Sequence, residues 1–385
     1  MSDREKEFLL LAVKLLFKRI EEGKIHFARE RVPETMKALD AVEFDEQGMP
    51  VFETITGPVR ALANAVIGME MERIEEEIEE RARSSPVHDY LVEAVEVTDN
   101  VLRKCAEEGR FSEVAFELYK EAGCILSVCA HCYLSEEPGE MVLTRNQAIC
   151  AGLLVRINKF MITVVQLCSQ ADRGEVIMAL NRCIAESAIN LRFLARKNEG
   201  RFYDQFVRFS LAPEREFHDL VRRNIAERGG VELPIEARIL DSIDSLCDAS
   251  GVRIEDVGSK YRDWGKGVRA RFDALGESDA YVLSQRIPSH AVHGTWVDLL
   301  QNHLEAKGEG FSPNPGWQKV DERLLGPVAI MVLDAAEDYL GVFFEDQPEL
   351  RPLYARIDDL RHRILKLAAA HEEWLSAGEV QNREL

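Results

Sequence analysis

The sequence predicts an all-α protein, a multi-helix bundle with one small β-hairpin near residues 41–53. Three observations carry this. Apolar residues recur at helical spacing in one long run after another. Only 13 prolines and 24 glycines interrupt 385 residues, too few for a turn-rich β-protein. The Gly, Pro and Asp residues that do occur mostly fall between the periodic runs. With 46% apolar and 30% charged residues, the chain has the make-up of a soluble globular protein large enough for a sizeable core.

The elements follow in order. Residues 3–22 carry Phe8, Leu9, Ala12, Leu15, Leu16 and Ile20 on one face, with Gly23 placed as a C-cap. Residues 41–53 alternate on either side of Asp45-Glu46-Gln47-Gly48, the pattern of a hairpin. From Pro58 onward helices are expected over 58–83, 86–108, 111–134, 144–170, 174–198 and 200–228, the last broken near Pro213. Further helices are expected over 234–249, 253–275, 279–305, 318–344 and 350–376, with 306–317 as a loop. Phe202, Phe206 and Phe209 have the spacing of a core stripe, and Trp264 and Trp296 are expected to be packing anchors. The apolar stretch 148–168 is long enough for a membrane span, but Arg156, Asn158 and Lys159 at its middle make it a core helix instead. The domain division expected is an acidic, mostly helical region over 1–138, a helical core over 139–345 and a C-terminal helix over 346–385.

The formal net charge of −20 disfavours phosphate backbones and anionic lipids as general partners, so no membrane partner is expected. The charge is uneven. Residues 1–150 hold 31 acidic and 18 basic side chains, whereas 182–228 hold ten basic and seven acidic. Eight cysteines in no secreted framework, behind an opening Met1-Ser2-Asp3-Arg4, predict reduced thiols and a cytoplasmic location. Cys124, Cys129, His131 and Cys132 lack the second half of a zinc site, so no metal is expected. Phosphate-binding loops, dinucleotide fingerprints, zinc-protease helices and nucleophile elbows are all missing, and no cofactor is expected.

Two segments concentrate chemistry. In NRCIAESAINLRFLARK (181–197), Arg182, Glu186 and Asn190 fall at i, i+4 and i+8 inside an apolar stripe. A buried charge needs a partner; Arg182 and Glu186 can pair locally, and Glu186 keeps lone pairs for donors from a distant segment. RIPSHAVHG (286–294) places Arg286, Ser289, His290 and His293 on one helix face. The central expectation is that these helices meet, with Glu186 fixing an imidazole of His293 or His290 as a base is oriented in catalysis. Arg192 and Arg201 lie in the basic stretch beside them and, with Arg182 and Asn190, are the candidate binding residues for an anion.

These residues carry a resemblance. Arg182 with Glu186, Asn190-Leu191-Arg192-Phe193-Leu194, RFYDQFVRFS (201–210), Trp264-Gly265, Tyr281, and Ser289 with His293-Gly294 together resemble a bacterial helical family known only as a domain of unknown function. The resemblance covers residues 175–300 and implies a helical fold but no activity. Pro288, which removes a helical hydrogen bond just before Ser289, departs from a simple helix there. More distantly, Arg286-x6-His293 is similar to the R-x4-6-H motif of HEPN-like ribonucleases. That resemblance implies a metal-independent enzyme in a defence or toxin-type system. Histidine would act as acid or base on the ribose 2′-hydroxyl, arginine would stabilise the phosphorane charge, and the site would be built across a homodimer.

The residues thus leave two functions open. The Arg/Glu/Ser/His centre is structural, or binds a small anion or a protein partner. The alternative is an HEPN-like endoribonuclease, with RNA as a partner only in that case. His293, Arg286, Glu186, Ser289 and His290 are the candidate catalytic residues.

Overall fold

The computed structural model describes residues 2–25, 33–132, 143–169, 173–258, 264–318, 320, 322–344 and 347–383. Its described residues are overwhelmingly helical, as the sequence predicts, with a single two-stranded antiparallel sheet. The chain forms two compact units, residues 1–85 and 86–385, so the contact boundary falls at Ser85-Pro86. The expected division at Pro138-Gly139 lies outside the described residues, as does the one at 345/346.

The first unit contains α1 (Asp3–Glu21), α2 (Pro33–Asp40) and α3 (Gly57–Arg83). Ser2 and Glu5 form a capping box that satisfies amides at the α1 N-terminus, and Gly23 takes φ +68° just past its end. Leu9, Val13 and Leu16 of α1 bury against Val59 and Ala63 of α3 and Leu39 of α2. The acidic run 72–80 lies on the solvated second half of α3. The hairpin expected at 41–53 reduces to one bridge, Phe44 with Pro50. Asp45 Oδ1 accepts from the amides of Gln47 and Met49 and folds the turn, but the Glu43 amide, the next cross-strand donor, turns to Thr54 Oγ1 and the ladder stops.

In the second unit, α4 (Asp99–Glu108) and α5 (Phe111–Ala130) lead to α6 (Arg145–Ser169) and α7 (Gly174–Lys197). α6 packs between α5 and α7, and α15 (Leu325–Phe343) lies against α5 and α7. α16 (Arg351–Arg383) covers α5 and α15. The α6 sequence is long and apolar enough to cross a membrane by length and composition. Here Cys150, Leu154, Ile157 and Val164 put its apolar side into the core.

Residues 91–98, expected within a helix over 86–108, are not helical. Arg356 Nη2 donates to Val92 O at 2.6 Å and Arg363 Nη1 to Val95 O at 2.9 Å. Both arginines also meet Glu121 on α5, which is 2% exposed: Arg363 at 2.7 Å to each oxygen and Arg356 at 2.8 Å. One buried carboxylate therefore ties α5, α16 and the 91–98 strand of chain together.

The stretch after α7 is a string of shorter pieces: α8 (Gly200–Ser210), α9 (Ala212–Glu227), α10 (Pro234–Ser250) and α11 (Val268–Ala274). The break expected near Pro213 falls at Leu211. Trp264 packs edge-on against Phe193 and Phe206, at 5.6 and 5.1 Å between ring centres. The buried Arg271 donates to Trp264 O at 2.7 Å and lies 4.2 Å from its ring. Gly265 takes φ +58°, and a Cβ there would lie 3.3 Å from Arg271 Cγ. Only glycine fits that turn without strain.

The helix expected over 279–305 is interrupted. It runs as α12 (Ser278–Tyr281), a π turn over Val282–Arg286, α13 (Ser289–His293), α14 (Trp296–Asp298) and a second π turn over Leu299–His303. Pro288 ends the first part and Gly294, at φ +56°, ends α13. The hairpin of the molecule follows, β1 (Leu304–Lys307) paired with β2 (Gly310–Pro313) where a loop was expected.

Candidate functional site

The two chemical segments do meet. α7 packs against α13 and the π turn before it. The contact is a closed ring of hydrogen bonds. Arg182 Nε donates to Ser289 Oγ at 3.2 Å, and Ser289 Oγ donates to Gln285 O at 2.6 Å. Gln285 Nε2 returns to Arg182 O at 3.2 Å. Each element supplies both a donor and an acceptor, so the register between them is fixed from both sides. Pro288 is buried at this junction. By starting α13 it presents Ser289 in the first turn, toward α7.

The expected Glu186–His293 pair is not formed: among the described residues no hydrogen bond or ion pair joins them, and none joins Arg182 to Glu186. Glu186 is half-buried on α7. α13 is only five residues long, and His293, its last residue before the left-handed Gly294, is exposed. The helix ends before a second turn can bring that imidazole back onto α7. His290 is half-buried and its Nδ1 lies 2.7 Å from Thr295 Oγ1, a local contact across the Gly294 turn. Arg286 is exposed, one residue after the buried Gln285. Asn190 is half-buried, and its Oδ1 has no partner among the described residues.

Arg192 and Arg201 are engaged elsewhere. Arg192 is buried; its Nε meets Asp338 at 2.9 Å, its Nη1 meets Asp334 at 3.5 Å, and Glu277 pairs with it as well. Burial opposes its charge, but the hydrogen bond it donates to Asp338 and the charges of Glu277 and Asp334 outweigh burial and hold it above its ordinary value. Arg196 shares Asp338 at 2.9 Å, and Arg361 bridges Asp334 and Glu337. Arg201 pairs with Glu199 at 2.7 Å. Arg192 is thus neutralised within the fold, whereas the Arg201–Glu199 pair lies exposed to solvent.

Gln285 and Glu121 were not singled out from sequence. Gln285 lies four residues before Ser289, so a shared helix face was available as a signal. Glu121 sits in FELYKEAGC with nothing local to distinguish it from a solvated glutamate.

The thiol cluster is dispersed. Cys129 is buried, Cys124 is exposed, and Cys132 Sγ donates to Val128 O at 3.4 Å. His131 Nδ1 lies against Ser127 O at 2.7 Å. Among the described residues no group of three or more His, Cys, Asp or Glu side chains gathers as metal ligands do.

Trp296, expected to be buried, is 56% exposed and packs edge-on against Phe311 of β2 at 5.5 Å. Val282, Leu283, Ile287, Val292, Val297, Leu299 and Leu300 are also exposed. A helical segment clasped by hydrogen bonds on one side thus turns a row of large apolar side chains, Arg286 and His293 to the outside.

Fold and site together describe an all-α protein with a clasped, apolar-faced segment. Residues 147–311, which contain both halves of the clasp and less than half of the chain, match the model of a family of unknown function, DUF5677. No curated protein and no solved structure matches the chain.

Proposed function

We propose that the chain is a binding protein whose working surface is residues 282–300, and that the polypeptide it meets there is a second copy of itself. The observation that carries this is eight large apolar side chains exposed within that one short segment, Leu283 the most at 69%. Exposed apolar residues scattered singly are ordinary, whereas a contiguous field of them marks an interaction surface. A stable interface needs about 800 Å² from each partner. Trp296 and Phe311, each more than half exposed, would contribute to it together with the aliphatic residues. The segment carries one cation, Arg286, and one buried anion, Asp298. A two-fold contact sets a patch against itself, so this nearly neutral stretch suits self-association in a chain of net charge −20. In this reading the Arg182–Ser289–Gln285 ring is scaffold that holds the surface preformed.

A small anion at Arg192 finds little support, because that guanidinium is buried against Asp338 and Glu277. The second reading, metal-independent RNA cleavage, is favoured by one observation: Arg286 and His293 are both exposed and make no hydrogen bond or ion pair among the described residues. The imidazole would take the 2′-hydroxyl proton and the guanidinium would meet the charge developing on phosphorus.

Sedimentation equilibrium of the wild type, Leu283→Glu and Trp296→Glu tests the first reading. A dimer is expected for the wild type and a folded monomer for each variant; a wild type monomeric at tens of micromolar overturns it. Labelled RNA incubated in EDTA tests the second. Cleavage by the wild type that is lost in both Arg286→Ala and His293→Ala supports it, and intact RNA rejects it.

A further inference from the structure

The second half of α3 runs on past the core of its own unit. Among the described residues, that core takes Val59, Ala63 and Val66 from α3, with Leu62 and Ile67 packed on it and nothing beyond Ile67. Arg19, in the last turn of α1, donates from Nη2 to Glu70 at 2.7 Å, and α1 ends at Glu21. α3 continues to Arg83, about 20 Å further at 1.5 Å per residue.

This length of helix carries a seam. Ile67, Met71, Ile74 and Ile78 follow one another at intervals of four, three and four, the a/d spacing of a coiled-coil stripe. Met71 and Ile74 are 64% and 47% exposed, and Ile67 and Ile78 are half-buried. A branched isoleucine loses rotamer freedom in a helix, so propensity gives no reason for this row on a glutamate-rich surface, whereas a facing helix does. Glu70, Glu75 and Glu77 flank the stripe at the e and g positions. Residues 67–82 hold seven glutamates against two arginines, and Arg73 is already paired with Glu70 and Glu77. A second copy of α3 would set glutamate against glutamate across the seam, so charge disfavours self-pairing and selects a helix of opposite sign.

We infer that residues 67–82 dock an amphipathic helix of a partner protein, its aliphatic stripe laid on Ile67, Met71, Ile74 and Ile78 and its flanking lysines or arginines set against the glutamates. The seam shares no residue with the 282–300 surface, so the two proposals stand or fall separately. The probe is a fluorescent three-heptad peptide with leucine at a and d and lysine at e and g, titrated with the full chain and followed by anisotropy. Saturable binding at one site per chain is expected. Ile74→Gln should weaken it at least about tenfold, salt should weaken it too, and Leu283→Glu should leave it unchanged. A peptide with the same lysines but serine at a and d should not bind, nor should one with leucine at a and d but glutamate at e and g. Glu75→Lys combined with Glu77→Lys should transfer binding from the lysine peptide to the glutamate peptide, a reversal that misfolding could not produce. No saturable binding of the lysine peptide at hundreds of micromolar overturns the inference. So does an affinity that Ile74→Gln leaves unchanged, equal binding of the serine peptide, or a preference that the paired charge reversal fails to move.

Discussion

The clasp between α7 and α13 predicts a specific pattern of coupling. Arg182→Met removes the charged donor to Ser289 while keeping much of the aliphatic stem in place. A hydrogen bond from a charged group contributes about 1.5–3 kcal/mol net, and partial exposure of Arg182 puts the expected loss near the lower end, about 2 kcal/mol. Ser289→Ala removes the same bond from the other side together with the bond to Gln285 O, and about 1.5 kcal/mol is expected. The Arg182–Ser289 bond is counted in both single variants, so the double variant should lose only about 2.5 kcal/mol, a coupling of about 1 kcal/mol. Urea denaturation of the four proteins measures the cycle, and amide exchange over residues 285–294 localises it. Losses that add to within about 0.3 kcal/mol, or unchanged exchange in that segment, would refute the argument that these side chains join the helices.

Three further outcomes follow from the geometry. Glu121→Ala strands two guanidinium groups and releases the 91–98 segment; breaking such a buried pair costs about 3–5 kcal/mol, a fall of roughly 5–8 °C in melting temperature. The exposed Glu117→Ala control should move little, and equal effects would discount the buried network. Burial pushes the Cys132 thiol up to about 11, so at pH 8 it holds about one thiolate per thousand molecules. Peptide mapping after brief thiol labelling should find the exposed Cys124 modified well ahead of it, and the reverse order contradicts the burial assigned to Cys132. The Leu233 amide, and then Arg228, hold the Glu236 carboxyl below its usual value. Its contribution is therefore complete above about pH 4.3, the unfolded value, and is lost as pH falls through the lower folded one. The stability gap between wild type and Glu236→Gln should narrow from pH 7 to pH 3, and a gap constant over that range would contradict it.

Much of the fold was legible because local pattern and tertiary demand agree. The expected helices 144–170 and 174–198 correspond to Arg145–Ser169 and Gly174–Lys197, where apolar spacing and end signals coincide. Residues 91–98 defeated the same reasoning, since Val92 and Val95 are fixed by arginines more than 260 positions away on α16. The hairpin was misplaced for a local reason: 41–53 alternates but its pairing stops once the Glu43 amide turns to Thr54 Oγ1, while Gly308 at φ +62° turns the 304–313 hairpin. Within the site, although Arg182 donates to Ser289 rather than pairing with Glu186 as expected, the meeting of the two segments was readable from charged residues set in an apolar stripe. The failure of Glu186 to reach His293 was not, because it depends on a five-residue helix between Pro288 and Gly294 whose phase no helical wheel describes.

The most direct measurement of the central claim is a photo-cross-link from the exposed face itself. With benzoylphenylalanine in place of Val292, irradiation of the purified chain should give a species of twice the mass, its cross-link mapping within residues 282–311 of the other copy. Illumination that yields only monomer at concentrations of tens of micromolar, or links that map to other parts of the chain, would contradict the assignment of residues 282–300 as a self-association surface.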